Sequence, residues 1–182
     1  MSRYLSLMML TALALCMLGC GVENRSASSG SLEPTETAAP VATAAVKLTP
    51  ADEKDLAALI ERQKGRVVFV DFWATFCKPC VKNFPHTVEL HKKYQGEGLV
   101  VVSMNFDSPD EKANVQAFLE KQGATFENLI SKYDAGNEAN EAFDFEGLPH
   151  LRLYDRQGKL RYKWEGKAND LEAKVKELLA ES

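Results

Sequence analysis

Hydrophobic positions along the chain alternate between two spacings, and the changes of spacing mark the elements. Residues 67–73 are an almost unbroken β-branched and aromatic run, which predicts a central strand covered on both faces. Residues 99–106 repeat that pattern and predict a second buried strand. Between them, residues 77–94 read as a helix, kinked where Pro85 removes a backbone donor. Upstream, Thr49 reads as a helix N-cap with Pro50 at the first helical position. Leu56, Leu59 and Ile60 then supply an apolar stripe, and Gly65 ends that helix. Ser108-Pro109-Asp110-Glu111 predicts a capping box that opens a helix to residue 121. Residues 126–130 read as a short strand and 137–143 as a short helix. Residues 151–154 and 159–164 flank Asp155-Arg156-Gln157-Gly158, a hairpin signal, and residues 170–179 form a closing amphipathic helix. This order implies an α/β fold with a central mixed β-sheet flanked by helices.

The first 46 residues follow other rules. A single basic residue, Arg3, precedes an apolar run from Leu5 to Leu18. The run is short of the roughly 20 residues a membrane-crossing helix needs, and it reads as an export signal over residues 1–19. Met17-Leu18-Gly19-Cys20 resembles a bacterial lipobox, which implies lipidation at Cys20 and loss of Cys16 with the signal. Residues 21–46 contain no aromatic residue and have little to bury, so residues 20–46 are expected to be a lipidated N-terminus and flexible linker. Such a coil has a reach of about 28 Å. The folded domain is expected over residues 47–182, outside the cytoplasm in a bacterial cell envelope and held to the membrane through the lipid anchor.

Composition narrows the class. The 182 residues allow one ordinary domain with appendages, and 45% hydrophobic with 26% charged residues excludes wholesale disorder and a fibrous fold. A net charge of −4 gives no general drive toward nucleic acid, and no nucleic-acid partner is expected. Four cysteines are too few for a disulfide-stapled mini-protein, and they fall into two separate pairs.

The second pair carries the candidate chemistry. Cys77-Lys78-Pro79-Cys80 lies where the first central strand hands over to a helix. There is no second CxxC to complete a zinc site, and Val81 stands where a haem-attachment motif needs histidine. A structural disulfide closing so small a loop would constrain little of the unfolded chain, so redox chemistry is the remaining reading. A cysteine at a helix N-terminus gains unpaired amides and the positive end of the dipole, worth about 0.3–1 kcal/mol, or roughly one pKa unit at most in the exposed case. Cys80 is placed one turn deeper, to resolve a mixed disulfide rather than start one. Lys78 and Pro79 are the loop residues that tune the pair.

Val70-Asp71-Phe72-Trp73-Ala74 running into Cys77-Lys78-Pro79-Cys80, with Pro85 beyond, closely resembles the thioredoxin active-site block. Gly147-Leu148-Pro149 matches the cis-proline loop of that family. The surplus around residues 107–145 looks like the strand-helix insertion of membrane-anchored TlpA/ResA-type thiol-disulfide oxidoreductases. The resemblance implies a thioredoxin-like fold and a redox-active Cys77–Cys80 disulfide. It also implies that Asp71 is a buried carboxylate accepting the Cys80 proton. Leu148 and Pro149 would offer backbone to a substrate strand, and Trp73 would flank the site, with a core role equally acceptable. Phe76 departs from the tryptophan usual before the first cysteine. Implied partners are protein dithiol or disulfide substrates, apocytochrome cysteines among them, and an upstream membrane electron donor. No cofactor and no metal are expected.

Two other functions compete. A peroxiredoxin-like peroxidase has a related fold, but the domain lacks a Thr-x-x-Cys nucleophile loop. A copper chaperone would use Cys77, Cys80 and His150, although CxxC is tighter than the CxxxC of Sco-type copper chaperones. His86 and His91 read as solvated, and His150 as a packed or surface side chain.

Overall fold

The computed structural model describes residues 46–181. The expected signal, Cys20 and most of the linker lie outside these residues. Six strands form one sheet: β1 (Leu48–Ala51), β2 (Val67–Trp73), β3 (Leu99–Asn105), β4 (Glu127–Ser131), β5 (His150–Tyr154) and β6 (Leu160–Glu165), in the spatial order β1-β4-β3-β2-β5-β6. The pairs β1–β4, β4–β3 and β3–β2 are parallel, and β2–β5 and β5–β6 are antiparallel. The helices are α1 (Glu53–Arg62), α2 (Lys78–Tyr94), α3 (Lys112–Gln122), α4 (Asn137–Phe143) and α5 (Leu171–Ala180). The expected insertion is represented by α3, β4 and α4, with β4 wedged between β1 and β3.

All seven residues of β2 are buried, as a strand covered on both faces requires. Its side chains alternate between two cores. Val67, Phe69 and Trp73 pack with Phe84 and Val88 of α2, Leu119 of α3, and Val175 and Leu178 of α5. Val68, Val70 and Phe72 pack with Leu56, Leu59 and Ile60 of α1 and with Ala139 and Phe143 of α4. The period of two therefore assigns Asp71 to the face occupied by α2 and α5.

Two helix starts differ from expectation. Thr49 and Pro50 lie in β1 rather than at a helix start. β1 is an edge strand paired only with β4, where a residue without an N–H is tolerated. The cap belongs to Asp52, whose side chain accepts from the backbone N–H groups of Lys54 and Asp55, while the Asp55 carboxylate accepts from the Asp52 N–H. Further on, Pro109–Glu111 forms a 3₁₀ turn, and Ser108 makes no side-chain cap. The α-helix begins only at Lys112. Pro85 lies inside α2, where it removes one bond to the Val81 carbonyl while the 17-residue helix continues to Tyr94. The hairpin turns on Asp155, whose Oδ1 accepts from the N–H groups of Gln157 and Lys159, with Gly158 at φ +78°.

If the β2 face packed on α2 and α5 anchors the fold, Phe69→Ala is expected to cost about 3–5 kcal/mol by urea unfolding. Leu160→Ala, at a side chain 39% exposed, is expected to stay within about 0.5 kcal/mol of wild type. A similar loss in both variants would contradict this division of the core.

Candidate active site

Strand β2 delivers the chain to the site and a three-residue turn delivers the cysteines. Ala74 to Phe76 connect Trp73 to Cys77, which is the N-cap of α2. Cys77 and Cys80 are joined in a disulfide. The Cys80 N–H points at Cys77 Sγ at 3.3 Å, and the Val81 N–H donates to the Cys77 carbonyl at 3.0 Å. The Cys80 N–H is one of the otherwise unpaired amides of a helix start, aimed at the first cysteine, and the Val81 bond is the first of the regular helix. Cys77 is 8% exposed and Cys80 3%, so the first cysteine is the more accessible residue. Lys78 and Pro79 are exposed around the rim.

Asp71 lies behind the pair. It is buried, and the Thr87 hydroxyl on α2 donates to its Oδ2 at 2.6 Å. Burial pushes the carboxyl up to about 6, against the lowering effect of the Thr87 hydrogen bond. Asp71, Thr87 and Cys80 line one cavity of about 160 Å³ together with Asn83, His86 and Lys167. That is room for several waters between the carboxyl and the second cysteine.

Cys77 borders a second hollow of about 390 Å³, walled by Phe76, Phe106, Asn140, Phe145 and Leu148. Leu148 is followed by a cis peptide bond to Pro149. The Pro149 carbonyl accepts from the Gly166 N–H at 2.8 Å, whereas Leu148 makes no backbone–backbone hydrogen bond among the described residues. Its main chain is therefore the free polar edge beside Cys77.

Packing corrects two expectations, for Trp73 and His91, and makes His150 the packed side chain it was read as. Trp73 does not flank the groove: it is fully buried, with ring centroids 4.6 Å from Phe84 and 4.9 Å from Phe118. The exposed ring at the site is Phe76, at 62%. His91 is half-buried rather than solvated, with its ring 5.2 Å from that of Phe126. His150 is fully buried, and both ring nitrogens are occupied. Arg152 Nε, an obligate donor, points at Nε2 at 2.9 Å, so Nδ1 carries the proton toward Glu165 at 2.7 Å. Burial, then the Arg152 charge, hold the imidazole below its ordinary range against the opposing pull of Glu165. The one ring lone pair, on Nε2, accepts from Arg152 and is not left for a copper ion shared with the cysteines.

Sequence reasoning missed Thr87 and the groove wall from α4. Thr87 reads as an ordinary helical threonine, and only its position opposite Asp71 across the α2–β2 contact gives it meaning. Asn140 and Phe145 carry no spacing that links them to Cys77. The exposure of Phe76 could have been anticipated from an aromatic residue in the turn just before a CxxC.

Comparison with known proteins agrees with this geometry. The sequence matches the Redoxin family over residues 34–179. It is 36% identical over 98 residues to the thiol-disulfide oxidoreductase ResA of Geobacillus thermodenitrificans, covering 54% of this chain and 53% of the relative. It is 31% identical over 97 residues to ResA of Bacillus subtilis, covering 53% and 51%. The alignments thus span about half the length of these curated relatives. Among solved structures, a thiol-disulfide isomerase from Corynebacterium glutamicum matches with TM-score 0.59 at 23% identity over 67% of this chain and 86% of that one. A thiol:disulfide interchange protein of the thioredoxin family from Chlorobium tepidum matches with TM-score 0.56 at 22% identity, over 74% and 99%. These two likenesses establish a thioredoxin-like fold.

The Asp71 environment makes stability depend on pH. The folded protein holds the carboxyl proton up to about 6, against 3.8 for an ordinary aspartate. Ionisation therefore works against the fold as pH rises through that window, by about 3 kcal/mol when complete. In the oxidised protein, Asp71→Asn is expected to be more stable than wild type at pH 8 by up to about 3 kcal/mol, with the difference fading toward pH 4. An equal difference at pH 4 and pH 8 in urea titrations would rule out the buried ionisation.

Proposed function

Because the chain belongs to the Redoxin family, we propose that it is a thiol-disulfide oxidoreductase that reduces disulfides of exported proteins through Cys77 and Cys80. The observation that carries this reading is the pairing of a disulfide at a helix N-terminus with a buried carboxyl of raised pKa in one cavity with the second cysteine. In the reduced protein, Cys77 thiolate attacks one sulfur of a substrate disulfide. The substrate S–S bond breaks, its departing thiolate takes a proton, and a mixed disulfide forms. Asp71 carboxylate then accepts the Cys80 proton, through water in the cavity, and Cys80 thiolate attacks Cys77 Sγ. The second substrate thiolate leaves, and two electrons have passed from the dithiol to the substrate. The Cys77–Cys80 disulfide is the product of that cycle.

The amide of Cys80 aimed at Cys77 Sγ supports a thiolate on Cys77 once the pair is reduced. Lys78 adds a nearby positive charge, and Pro79 contributes no competing donor. Phe76 and the groove beyond it would take an apolar side chain next to the substrate cysteine. The unpaired main chain of Leu148, beside Pro149, would receive the substrate as an added strand. Trp73, in the same buried cluster as the two cysteines, would support the site without touching substrate.

The N-terminal pattern extends the reading. An export signal, a lipid on Cys20 and a linker to residue 46 would hold the domain over residues 47–182 near a membrane, outside the cytoplasm. There it would receive electrons from a membrane-bound donor, with apocytochrome cysteines among its substrates.

Reduction of insulin disulfides tests the chemistry. Cys77→Ala is expected to abolish it, and Cys80→Ala to accumulate a mixed disulfide. Asp71→Asn is expected to slow release of that intermediate by about 10²–10⁴-fold at neutral pH, the range for losing a positioned proton acceptor. Unimpaired turnover in Cys77→Ala would sink the assignment. Palmitate labelling that survives Cys20→Ala would remove the anchor.

A further inference from the structure

The turn that carries Cys77 is gripped by a carboxylate for which the disulfide exchange has no use. Asp107 lies just beyond the end of β3 and is buried. It reaches across to the middle of the three-residue turn between β2 and α2. Its Oδ2 accepts the Thr75 N–H at 2.8 Å, and its Oδ1 accepts the Thr75 hydroxyl. Asn105 Nδ2 also donates to Oδ2, at 2.7 Å, while Asn105 Oδ1 takes the Asp107 N–H at 3.0 Å. Three donors thus converge on the two oxygens of one side chain. Two of the three, the Thr75 and Asn105 N–H groups, can only donate, whereas the Thr75 hydroxyl can also accept, so removing the Asp107 side chain, rather than exchanging it for an amide, is what releases the grip.

Burying a carboxylate is an unfavourable way to tie down a surface turn, since its desolvation must be offset by good hydrogen bonds. The value of the arrangement lies in what it holds. In the oxidised protein Cys77 is also fixed by its covalent link to Cys80. In the dithiol that link is gone. The Cys77 sulfur is then held by the N-cap amide, by the Cys77 N–H to Ala74 carbonyl bond at 3.2 Å, and by the grip on Thr75. Phe76, exposed between Thr75 and Cys77, gains little support from packing and leaves the turn free to swing if Thr75 is released.

We propose that Asp107, acting through Thr75, is a positioning residue that keeps Cys77 in its attacking orientation when the pair is reduced. This deepens the reading of Cys77 as the attacking thiol and rests on it. It predicts an asymmetry between the two redox states: loosening Thr75 should impair attack by the dithiol and spare the disulfide, whose own bond holds Cys77.

The test compares Thr75→Val, which removes the hydroxyl donor at nearly constant volume, with Thr75→Ser, which keeps it, and adds Asp107→Ala. Two rates are read on the full chain, with thermal unfolding as a control for folding. One is attack of the reduced protein on dithiobis(nitrobenzoate), and the other is reduction of the oxidised protein by dithiothreitol. Thr75→Val is expected to slow the first rate by about tenfold, in line with loss of one hydrogen bond to a charged group, and to leave the second within about twofold. Thr75→Ser should remain within about twofold of wild type in both, and Asp107→Ala should follow Thr75→Val. Wild-type attack by Thr75→Val, an equal fall of both rates, or a Thr75→Ser variant as slow as Thr75→Val would overturn the inference. A wild-type protein inert toward insulin disulfides would overturn the oxidoreductase reading and this inference with it. An active wild type matched by Thr75→Val overturns this inference alone.

Discussion

Strand β2 pairs in parallel with β3 along its whole length and antiparallel with β5 from Val68 to Phe72. Both faces are covered by helices, so its C-terminal end has little freedom to move. That immobility matters because the chemistry begins four residues later. Trp73 ends the strand, Cys77 caps α2, and the position of the sulfur is inherited from the strand through a turn too short to absorb much motion. The same strand supplies Asp71 two residues earlier. A period of two puts that carboxyl on the face where α2 lies, within hydrogen-bond reach of Thr87.

The electrostatics of the two cysteines are set by different parts of this arrangement. Cys77 sits among the free amides of a helix start, which favour a thiolate. Cys80 lies a turn deeper, beside a cavity whose acid is kept protonated by burial up to about 6. The two neighbouring sulfurs thus have different environments: a helix-start amide is directed at one, and the other shares a cavity with a buried carboxyl.

The legible parts of the fold were those whose signal is local. The β2 and β3 runs, the hairpin with Asp155 and Gly158, and the closing helix were readable because burial on both faces, turn chemistry and amphipathic spacing each leave a mark within a few residues. The misread parts had local signals that tertiary context overrode. Thr49-Pro50 has the form of a helix start, yet β4 offers those residues a strand partner and Asp52 forms a better cap. Ser108 heads a plausible capping box, but the chain tightens into a 3₁₀ turn first. Trp73 was expected beside the site from the family resemblance, with a core role as the alternative, and strand alternation turned it into the core between Phe84 and Phe118.

The sequence by itself determined the motif, its position at a strand-to-helix junction, and an acid six residues before the first cysteine on a strand too apolar to leave it solvated. These follow from spacing along one strand and one helix, where distance in sequence fixes distance in space. Only the tertiary structure decided which groups meet the motif from elsewhere. Thr87 reaches Asp71, Leu148 borders Cys77 from a loop some seventy positions away, His150 is consumed by Arg152 and Glu165, and Asp107 grips Thr75. Those pairings depend on sheet order and helix packing, which no local period encodes.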